Sequence, residues 1–245
     1  MNRIALACAA TFSMGALLAG AAEPKLELPP VHAGDSWNYR ITEEKGTNGW
    51  SQSQWEISVT RVTGSSIYFT AHQSGSTQPP REIFLGNDWS RSRDINGKET
   101  VVERPFAFPL SEGKTWKVTY TENNPNANHR DESWDDNYRV VGYETIDVPG
   151  GKFQALKIEA EGRWTAHVAP GQTVVQAAHS GESGVAMTTN VQNAQEREVS
   201  GRLYKAFWYV PEVKRWVKSI EEDYSSGGVR NVRRTMELES FKPGA

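Results

Sequence analysis

The sequence predicts an all-β protein, either an antiparallel β-sandwich or a curled, barrel-like sheet, with two related halves. Three observations support this prediction. Apolar and polar residues alternate along most of the chain, the alternating segments are rich in Val, Ile, Thr, Tyr, Trp and Phe, and clusters of Gly, Asn, Pro and Ser separate them. The 245 residues include 37% hydrophobic and 23% charged side chains, which is the composition of a folded domain.

The first residues have the pattern of a secretory signal peptide. One arginine precedes an uncharged apolar stretch from Ile4 to Leu18, and the small residues Ala19-Gly20-Ala21 follow it. This stretch is shorter than the roughly 20 residues that span a bilayer. We therefore predict a signal peptide at residues 1–22, cleaved after Ala21 or Ala22. The expected product is one exported β-rich domain, residues 23–245, periplasmic or secreted, with no transmembrane segment after cleavage.

Strand patterns continue through the rest of the chain. Trp37, Tyr39 and Ile41 alternate with polar residues. The same period of two recurs in the segments 55–59, 67–71, 116–120, 138–148, 153–160, 205–210, 215–221 and 229–241. On this pattern we expect about ten to thirteen short strands. Two polar stretches are interpreted differently, 123–137 as a loop and 166–201 as a long excursion hairpin.

A short repeat indicates that the domain contains two related halves. Gly34-Asp35-Ser36-Trp37 and Gly113-Lys114-Thr115-Trp116 both consist of a glycine, a charged residue, a hydroxyl residue and a tryptophan, and both open a strand pattern. Hairpin-like segments follow each of them in the same order. The predicted halves are residues 33–105 and 112–241, with the two tryptophans buried at equivalent positions. The alternative is chance similarity between β-hairpins.

Two segments of the second half carry a distinctive order of strands and turns. Tyr143–Ile158 contains a strand, a Pro-Gly turn and a second strand, and Phe207–Lys218 contains a Trp-Tyr-x-Pro hairpin that ends in Val-Lys. In these segments the chain resembles a family of uncharacterised, exported bacterial β-rich proteins, although its excursion between the two blocks is longer than is usual there. The resemblance implies a β-rich fold and export, and it implies no particular reaction.

The usual catalytic and metal-binding motifs are missing from the sequence. There is no Gly-x-Ser-x-Gly, no His-Glu-x-x-His, no phosphate-binding loop and no dinucleotide fingerprint. The one cysteine, Cys8, lies in the predicted signal peptide, and none of the five histidines pair at ligand spacing. A net charge of −3 gives no electrostatic reason to expect nucleic acid. We therefore predict no catalytic residue, no metal, no cofactor and no nucleic-acid partner.

The densest acidic cluster lies at Asp131–Asp136. Such a cluster in an exported protein could bind calcium through its carboxylates, but the spacing does not match the twelve-residue calcium loop. It could also supply the acid and base of a glycosidase, as could the segment Glu221–Asp223. A solvated charged loop is the preferred interpretation.

Five residues are predicted to contact a ligand. Trp50, Trp89 and Trp134 lie in polar, turn-rich surroundings, where exposed aromatic faces could stack on sugar rings or on a partner chain. Arg230 and Arg234 share a strand face with apolar residues and need either carboxylate partners or an anionic ligand. The alternatives are that the tryptophans cover the ends of a β core and that the arginines pair with the protein's own acids.

Together these patterns predict a non-catalytic, exported envelope protein that binds a ligand or partner on a β-sheet scaffold. The expected ligand is a glycan, a lipid or a peptide. Two alternatives stay open: an envelope glycan hydrolase with carboxylate acid and base residues, and a purely structural or assembly protein. Two carboxyl groups that converge from separate strands in one cleft, one of them with a raised pKa, would favour the hydrolase. A Trp-lined groove without such a pair would favour binding.

Overall fold

The structure is a computed structural model that describes residues 25–168, 172–181, 184–193 and 197–244. The predicted signal peptide, residues 1–22, lies outside the described residues. In the described part of the chain, regular structure consists of β-strands and two short 3-10 helices, η1 (Gly46–Asn48) and η2 (Pro211–Val213), and no helix there is long and apolar enough to cross a membrane.

The strands follow the predicted alternation closely. In the strand Ser66–Gln73, for example, every second side chain is buried until the last residue. In chain order the strands are β1 (Ser36–Glu44), β2 (Trp50–Val62), β3 (Ser66–Gln73), β4 (Arg81–Gly86), β5 (Arg91–Ile95), β6 (Lys98–Glu103), β7 (Thr115–Asn126), β8 (His129–Val148), β9 (Gly151–Val168), β10 (Gln172–Gly181), β11 (Gly184–Asn193), β12 (Arg197–Val210), β13 (Arg215–Ser225) and β14 (Arg230–Lys242).

Ten of these strands form one antiparallel sheet in the order β4-β3-β2-β1-β14-β13-β12-β9-β8-β7. The strands β5 and β6 form a separate hairpin, and so do β10 and β11, which occupy the predicted excursion. The prediction of an all-β antiparallel protein is therefore confirmed.

The large sheet is strongly curled. Phe69 on β3 and Trp216 on β13 each lie 6.2 Å, centroid to centroid, from the ring of Trp89. Four strand spacings separate β3 from β13, which would place them roughly 19 Å apart in a flat sheet. Because one indole contacts both rings, the sheet must bend around it. We call the concave side, which carries Trp37 and Phe69, the inner face.

The inner face is filled at one end of the strands and open at the other. At the filled end, Phe106 packs 4.8 Å from Tyr209 and 5.9 Å from Trp216, and the indole of Trp37 donates a hydrogen bond to the carbonyl of Val213. At the opposite end lie the connections that follow β1, β3, β7, β9 and β13. We call this second end the open end.

Trp89 is the clearest correction to the sequence-based predictions. Its polar neighbours predict an exposed, ligand-contacting tryptophan, but it is only 2% exposed. Its backbone has a φ of 63°, and this left-handed conformation turns the ring back into the core. There its indole nitrogen donates a hydrogen bond to the carbonyl of Lys214. Polar neighbours along the chain therefore did not predict the direction of the side chain.

The stretch 123–137 is a second correction, because it forms the β7–β8 hairpin rather than a loop. The turn is closed by the Asn126 side chain, whose oxygen accepts hydrogen bonds from the backbone N–H groups of Asn128 and His129. Its many charged residues include side chains on the solvated face of long strands, which is where a half-exposed sheet places them.

The two repeated motifs occupy similar local positions but differ in burial. Trp37 and Trp116 are each the second residue of a strand, and each strand follows a glycine with positive φ, Gly34 or Gly113. Trp37 is completely buried, whereas Trp116 is half-buried and stacks on Tyr138 at 5.3 Å. The prediction of equivalent buried positions is therefore wrong for Trp116, and the division into two related halves stays a prediction.

Candidate functional site

The open end of the inner face contains a groove made of two cavities. The larger, about 510 Å³, is lined by residues of five strands: Ile41, Glu43, Ser51, Ser53, Trp55, Gln73, Arg81, Arg234 and Met236. The smaller, about 290 Å³, is lined by Leu203, Lys205, Glu221, Glu222, Asp223, Val232 and Arg234. Arg234 lines both, so the two cavities adjoin at this side chain. Each cavity is lined by consecutive strands of the sheet, and the curl of the sheet makes this surface concave.

A row of charged side chains crosses the floor of this groove. Direct cross-strand pairing places Glu43 of β1 beside Arg234 of β14, Arg234 beside Glu221 of β13, and Glu221 beside Lys205 of β12. We call these four residues the charge row. Neighbours in such a row lie roughly 5 Å apart across a sheet, so the alternation of acid and base is electrostatically favourable.

Both cations of the charge row form ion pairs with acids. Arg234 Nη2 lies 2.7 Å from Glu43 Oε2, and Lys205 Nζ lies 3.2 Å from Glu103 Oε1 and 3.1 Å from Asp136 Oδ2. Both cations of the row are thus directed away from the carboxyl group between them. Within the described ranges, no cation lies within salt-bridge distance of Glu221.

The electrostatic surroundings shift the pKa values of two acids of the groove, Glu221 and Glu43, in opposite directions. Burial, together with the negative charge of Glu103, raises the pKa of Glu221. Hydrogen bonds from Lys45 and then Arg234 lower the pKa of Glu43. Burial alone would lower the pKa of Lys205, but the nearby acids, Glu103 first among them, raise it above its ordinary value. Lys205 and Glu43 are therefore charged at neutral pH, whereas Glu221 is more easily protonated than an ordinary glutamate.

Asp136 contributes a second carboxylate oxygen without a partner. The residue is 4% exposed, and its Oδ2 accepts a hydrogen bond from Lys205 whereas its Oδ1 is buried and has none. This oxygen lies over Gly162, where a side chain would collide with it, since an added Cβ would come within 2.1 Å. The glycine therefore makes the space that the Asp136 carboxylate occupies.

Aromatic side chains lie on both sides of the charge row. Trp55 on β2 is half-buried and lines the larger cavity. On the other side, Tyr120 stacks with Trp134 at 6.1 Å, and Trp134 lies 6.2 Å from Trp164. The Trp164 indole covers Gly201, where an added Cβ would meet it at 2.5 Å. Of these aromatic groups, Trp55 is the one that lines the groove.

The five predicted ligand-binding residues have different environments. Trp50 is 69% exposed beside the β1–β2 turn, and Trp134 is half-buried in the aromatic row. Arg230 pairs with Glu44 and Glu222, and Arg234 with Glu43, so both arginines have native carboxylate partners. Of the five, only Arg234 lines either groove cavity.

The predicted acidic cluster does not assemble as a calcium site in the structure. Asp131 Oδ1 lies 2.7 Å from His167 Nδ1, and Glu132 Oε2 lies 2.9 Å from His129 Nδ1. Across the part of the chain that the structure describes, no three His, Asp or Glu side chains are grouped so that they could hold a metal ion.

Sequence reasoning missed Trp55 and Lys205 as groove residues. Both lie in strand patterns where they count as ordinary alternating positions. A charged Lys205 on the same strand face as Leu203 and Phe207 was the one available signal, because a lysine on an apolar face needs a partner.

Comparison with known proteins finds distant structural similarities only. No family model matches the chain, and no curated protein matches it. A predicted lipoprotein from Parabacteroides distasonis ATCC 8503 has 14% identity and a TM-score of 0.45, with 90% of this chain and 100% of that chain covered. A predicted exported protein with a YmcC-like fold from Bacteroides fragilis has 14% identity and a TM-score of 0.42, with 89% and 99% covered.

The hypothetical lipoprotein YmcC from Escherichia coli has 12% identity and a TM-score of 0.32, with 86% of this chain and 85% of that chain covered. With identities of 12–14% and TM-scores below 0.5, these similarities carry no argument about this chain. They assign no activity, ligand or location to this chain.

Proposed function

We propose that this protein is exported to the cell envelope and binds a glycan there, in the groove at the open end of its curled sheet, without acting on it. The signal-peptide pattern at residues 1–22 supports export. One observation carries the binding function: an indole, short polar side chains and a charge row converge from separate strands on one continuous groove. Concave sites with a few convergent polar groups are where proteins bind small ligands.

The lining of the larger cavity favours a glycan over a lipid. Ser51, Ser53 and Gln73 supply hydrogen-bond donors and acceptors beside the indole of Trp55. A sugar ring presents apolar C–H groups to such an indole and hydroxyl groups to its polar neighbours. An acyl chain needs a continuous apolar wall, and here the apolar surface of Ile41 and Met236 ends at the neighbouring Glu43–Arg234 pair of the charge row.

We predict that Trp55→Ala lowers glycan affinity at least about tenfold, because truncation of a central aromatic contact commonly has an effect of this size. The matched control is Trp50→Ala, which removes a more exposed indole that does not line the groove. Calorimetric titration with the N-acetylglucosamine tetramer, its free-amine counterpart and maltotetraose would measure both effects, with palmitate as the lipid probe.

Two results would contradict the proposal. If Trp50→Ala weakened binding while Trp55→Ala did not, the ligand would bind at the hairpin tip rather than in the groove. If only palmitate bound, the site would be a lipid site. The variant Trp55→Phe keeps an aromatic face, and its retained binding would separate loss of stacking from loss of folding.

Glycan hydrolysis is the second candidate, and one specific observation favours it. Glu43 and Glu221 flank Arg234, line the same groove and have pKa values shifted in opposite directions, as an acid and base pair requires. Two strand spacings place them roughly 10 Å apart, near the separation used by inverting glycosidases. However, Lys45 and Arg234 occupy both oxygens of Glu43. New reducing ends during the same titrations, abolished by Glu221→Gln, would establish hydrolysis over binding alone.

A further inference from the structure

The larger cavity of the groove has more basic than acidic side chains in its lining. Its charged residues are Glu43, Arg81 and Arg234, and the other side chains that line it are neutral. One oxygen of Glu43 lies 2.7 Å from Arg234 Nη2, and the other lies 2.8 Å from Lys45 Nζ. Two cations therefore already neutralise the acid of this cavity, and the charge of Arg81 is left over.

Arg81 has no acidic partner in the described part of the chain. It pairs directly with Ala71 of β3, whose side chain is buried, so both side chains lie on the inner face of the sheet. The acid beside it in the sequence, Glu82, projects to the opposite face because side chains alternate along a strand. Arg81 is exposed and lies in the wall of a cavity that also presents an indole and hydrogen-bonding groups. It is therefore the cation of the larger cavity that is available to a ligand.

A second uncompensated cation, Arg215, lies one ring away from the same cavity. It is 4% exposed, and its Nε and Nη1 atoms are buried without a hydrogen-bond acceptor. Its Cζ lies 5.2 Å from the ring centre of Tyr39, which pairs directly with Trp55, the indole of the cavity. Aromatic faces stabilise this guanidinium but carry no net charge, and within the described ranges no carboxylate lies within salt-bridge distance of it. Its charge therefore adds to a positive potential at the cavity.

We infer that the glycan bound in this groove is acidic and that a carboxylate on one of its sugar rings pairs with Arg81. The inference rests on the proposed function, since it names the class of glycan for the same groove. The guanidinium fork matches the two oxygens of a carboxylate, and such charge-assisted pairs are stronger than neutral hydrogen bonds. Trp55 on β2 and Arg81 on β4 line one cavity from strands two spacings apart, roughly 10 Å, so an oligosaccharide can contact both at once.

The test compares two tetramers that differ in charge. Calorimetric titration at about pH 6, where sugar carboxyl groups are ionised, would use tetragalacturonate and its fully methyl-esterified form. Citrate is the probe for a carboxylate without a sugar ring. We expect tetragalacturonate to bind about fivefold more tightly than its ester, near the upper end for a partly exposed ion pair. Arg81→Gln should remove that difference, whereas the ester should still bind through the indole contact.

The matched control is Arg61→Gln. It removes one positive charge from the opposite face of the same sheet, where Arg61 lies 3.9 Å from the centre of the Tyr68 ring. This variant should keep the full preference for the acid, and a thermal melt of each variant would establish that it is folded.

The possible failures of this inference and of the proposed function can be distinguished. If the acid and the ester bound wild-type protein equally, the groove would stand as a glycan site and the inference of an acidic glycan would be overturned. It would also be overturned if Arg81→Gln and Arg61→Gln reduced the preference equally. If citrate bound and neither tetramer did, pairing of a carboxylate with the protein would stand and the glycan proposal would fail. Binding of none of these probes would overturn both.

Discussion

Replacing Trp89 with alanine should lower the free energy of unfolding by about 3–5 kcal/mol, the range for a large aromatic removed from a packed core. The ring contacts Trp37 at 5.4 Å, and it also contacts Phe69 and Trp216. It therefore connects strands from distant parts of the curled sheet. Its loss should leave a cavity that the surrounding strands cannot fill without changing the curvature of the sheet.

Denaturant titration of Trp89→Ala beside Trp50→Ala would measure this effect. Trp50 is 69% exposed, and its replacement should change stability by only about 0.5 kcal/mol, as surface substitutions do. Equal denaturation midpoints for the two variants would mean that the buried Trp89 ring does not stabilise the curled sheet.

Replacing Asp35 with alanine should lower stability by a similar amount, about 3–5 kcal/mol, because it removes one partner of a buried ion pair. The carboxylate is fully buried and lies 2.9 Å from Lys214 Nζ. It also accepts hydrogen bonds from the backbone N–H groups of His32 and Gly244, so it joins both ends of the described chain to η2–β13. Alanine would leave these part-buried donors without their acceptor.

The same carboxylate should make stability dependent on pH. Burial alone would raise the pKa of Asp35, but the hydrogen bonds from Gly244, His32 and Lys214 outweigh burial and hold the pKa below its ordinary value. A carboxyl group with a lowered pKa in the folded state stabilises the protein above its unfolded pKa of about 3.9, and that contribution is lost as the pH falls toward the folded value.

Urea denaturation at a series of pH values would test this dependence, with Asp35→Asn as the comparison. The stability difference between wild type and this variant should be largest above about pH 5 and should shrink as the pH falls below about 4. A difference that stayed constant across this range would show that the charge of Asp35 contributes nothing.

The strands could be predicted well from the sequence because strand formation shows in the pattern of neighbouring residues. Alternation along segments such as 36–44 and 66–73 determines which side chains face the core, and neighbouring residues are enough to show it. The same local reasoning failed for Trp89, whose left-handed backbone directs the ring away from its polar neighbours. It also treated the β7–β8 hairpin as a loop, since long strands with one solvated face can be as polar as a loop.

The groove could not be predicted from local patterns. Glu43 and Arg234 are 191 positions apart in the chain, and only the pairing of β1 with β14 makes them neighbours. The sequence predicts that Arg234 needs a carboxylate or an anion, and the structure supplies the carboxylate of Glu43. The sequence also offers Glu221 as an acid, but its position between Lys205 and Arg234 follows from strand register and not from spacing.

The most direct test of glycan binding in the groove is a titration followed through the indole N–H resonances of the tryptophans by NMR. Trp55→Phe and Trp50→Phe would assign the two relevant signals. On addition of the N-acetylglucosamine tetramer or its free-amine counterpart, the account predicts that the Trp55 resonance shifts in a saturable way while that of Trp50 stays in place. A saturable shift of Trp50 with no change at Trp55 would contradict it.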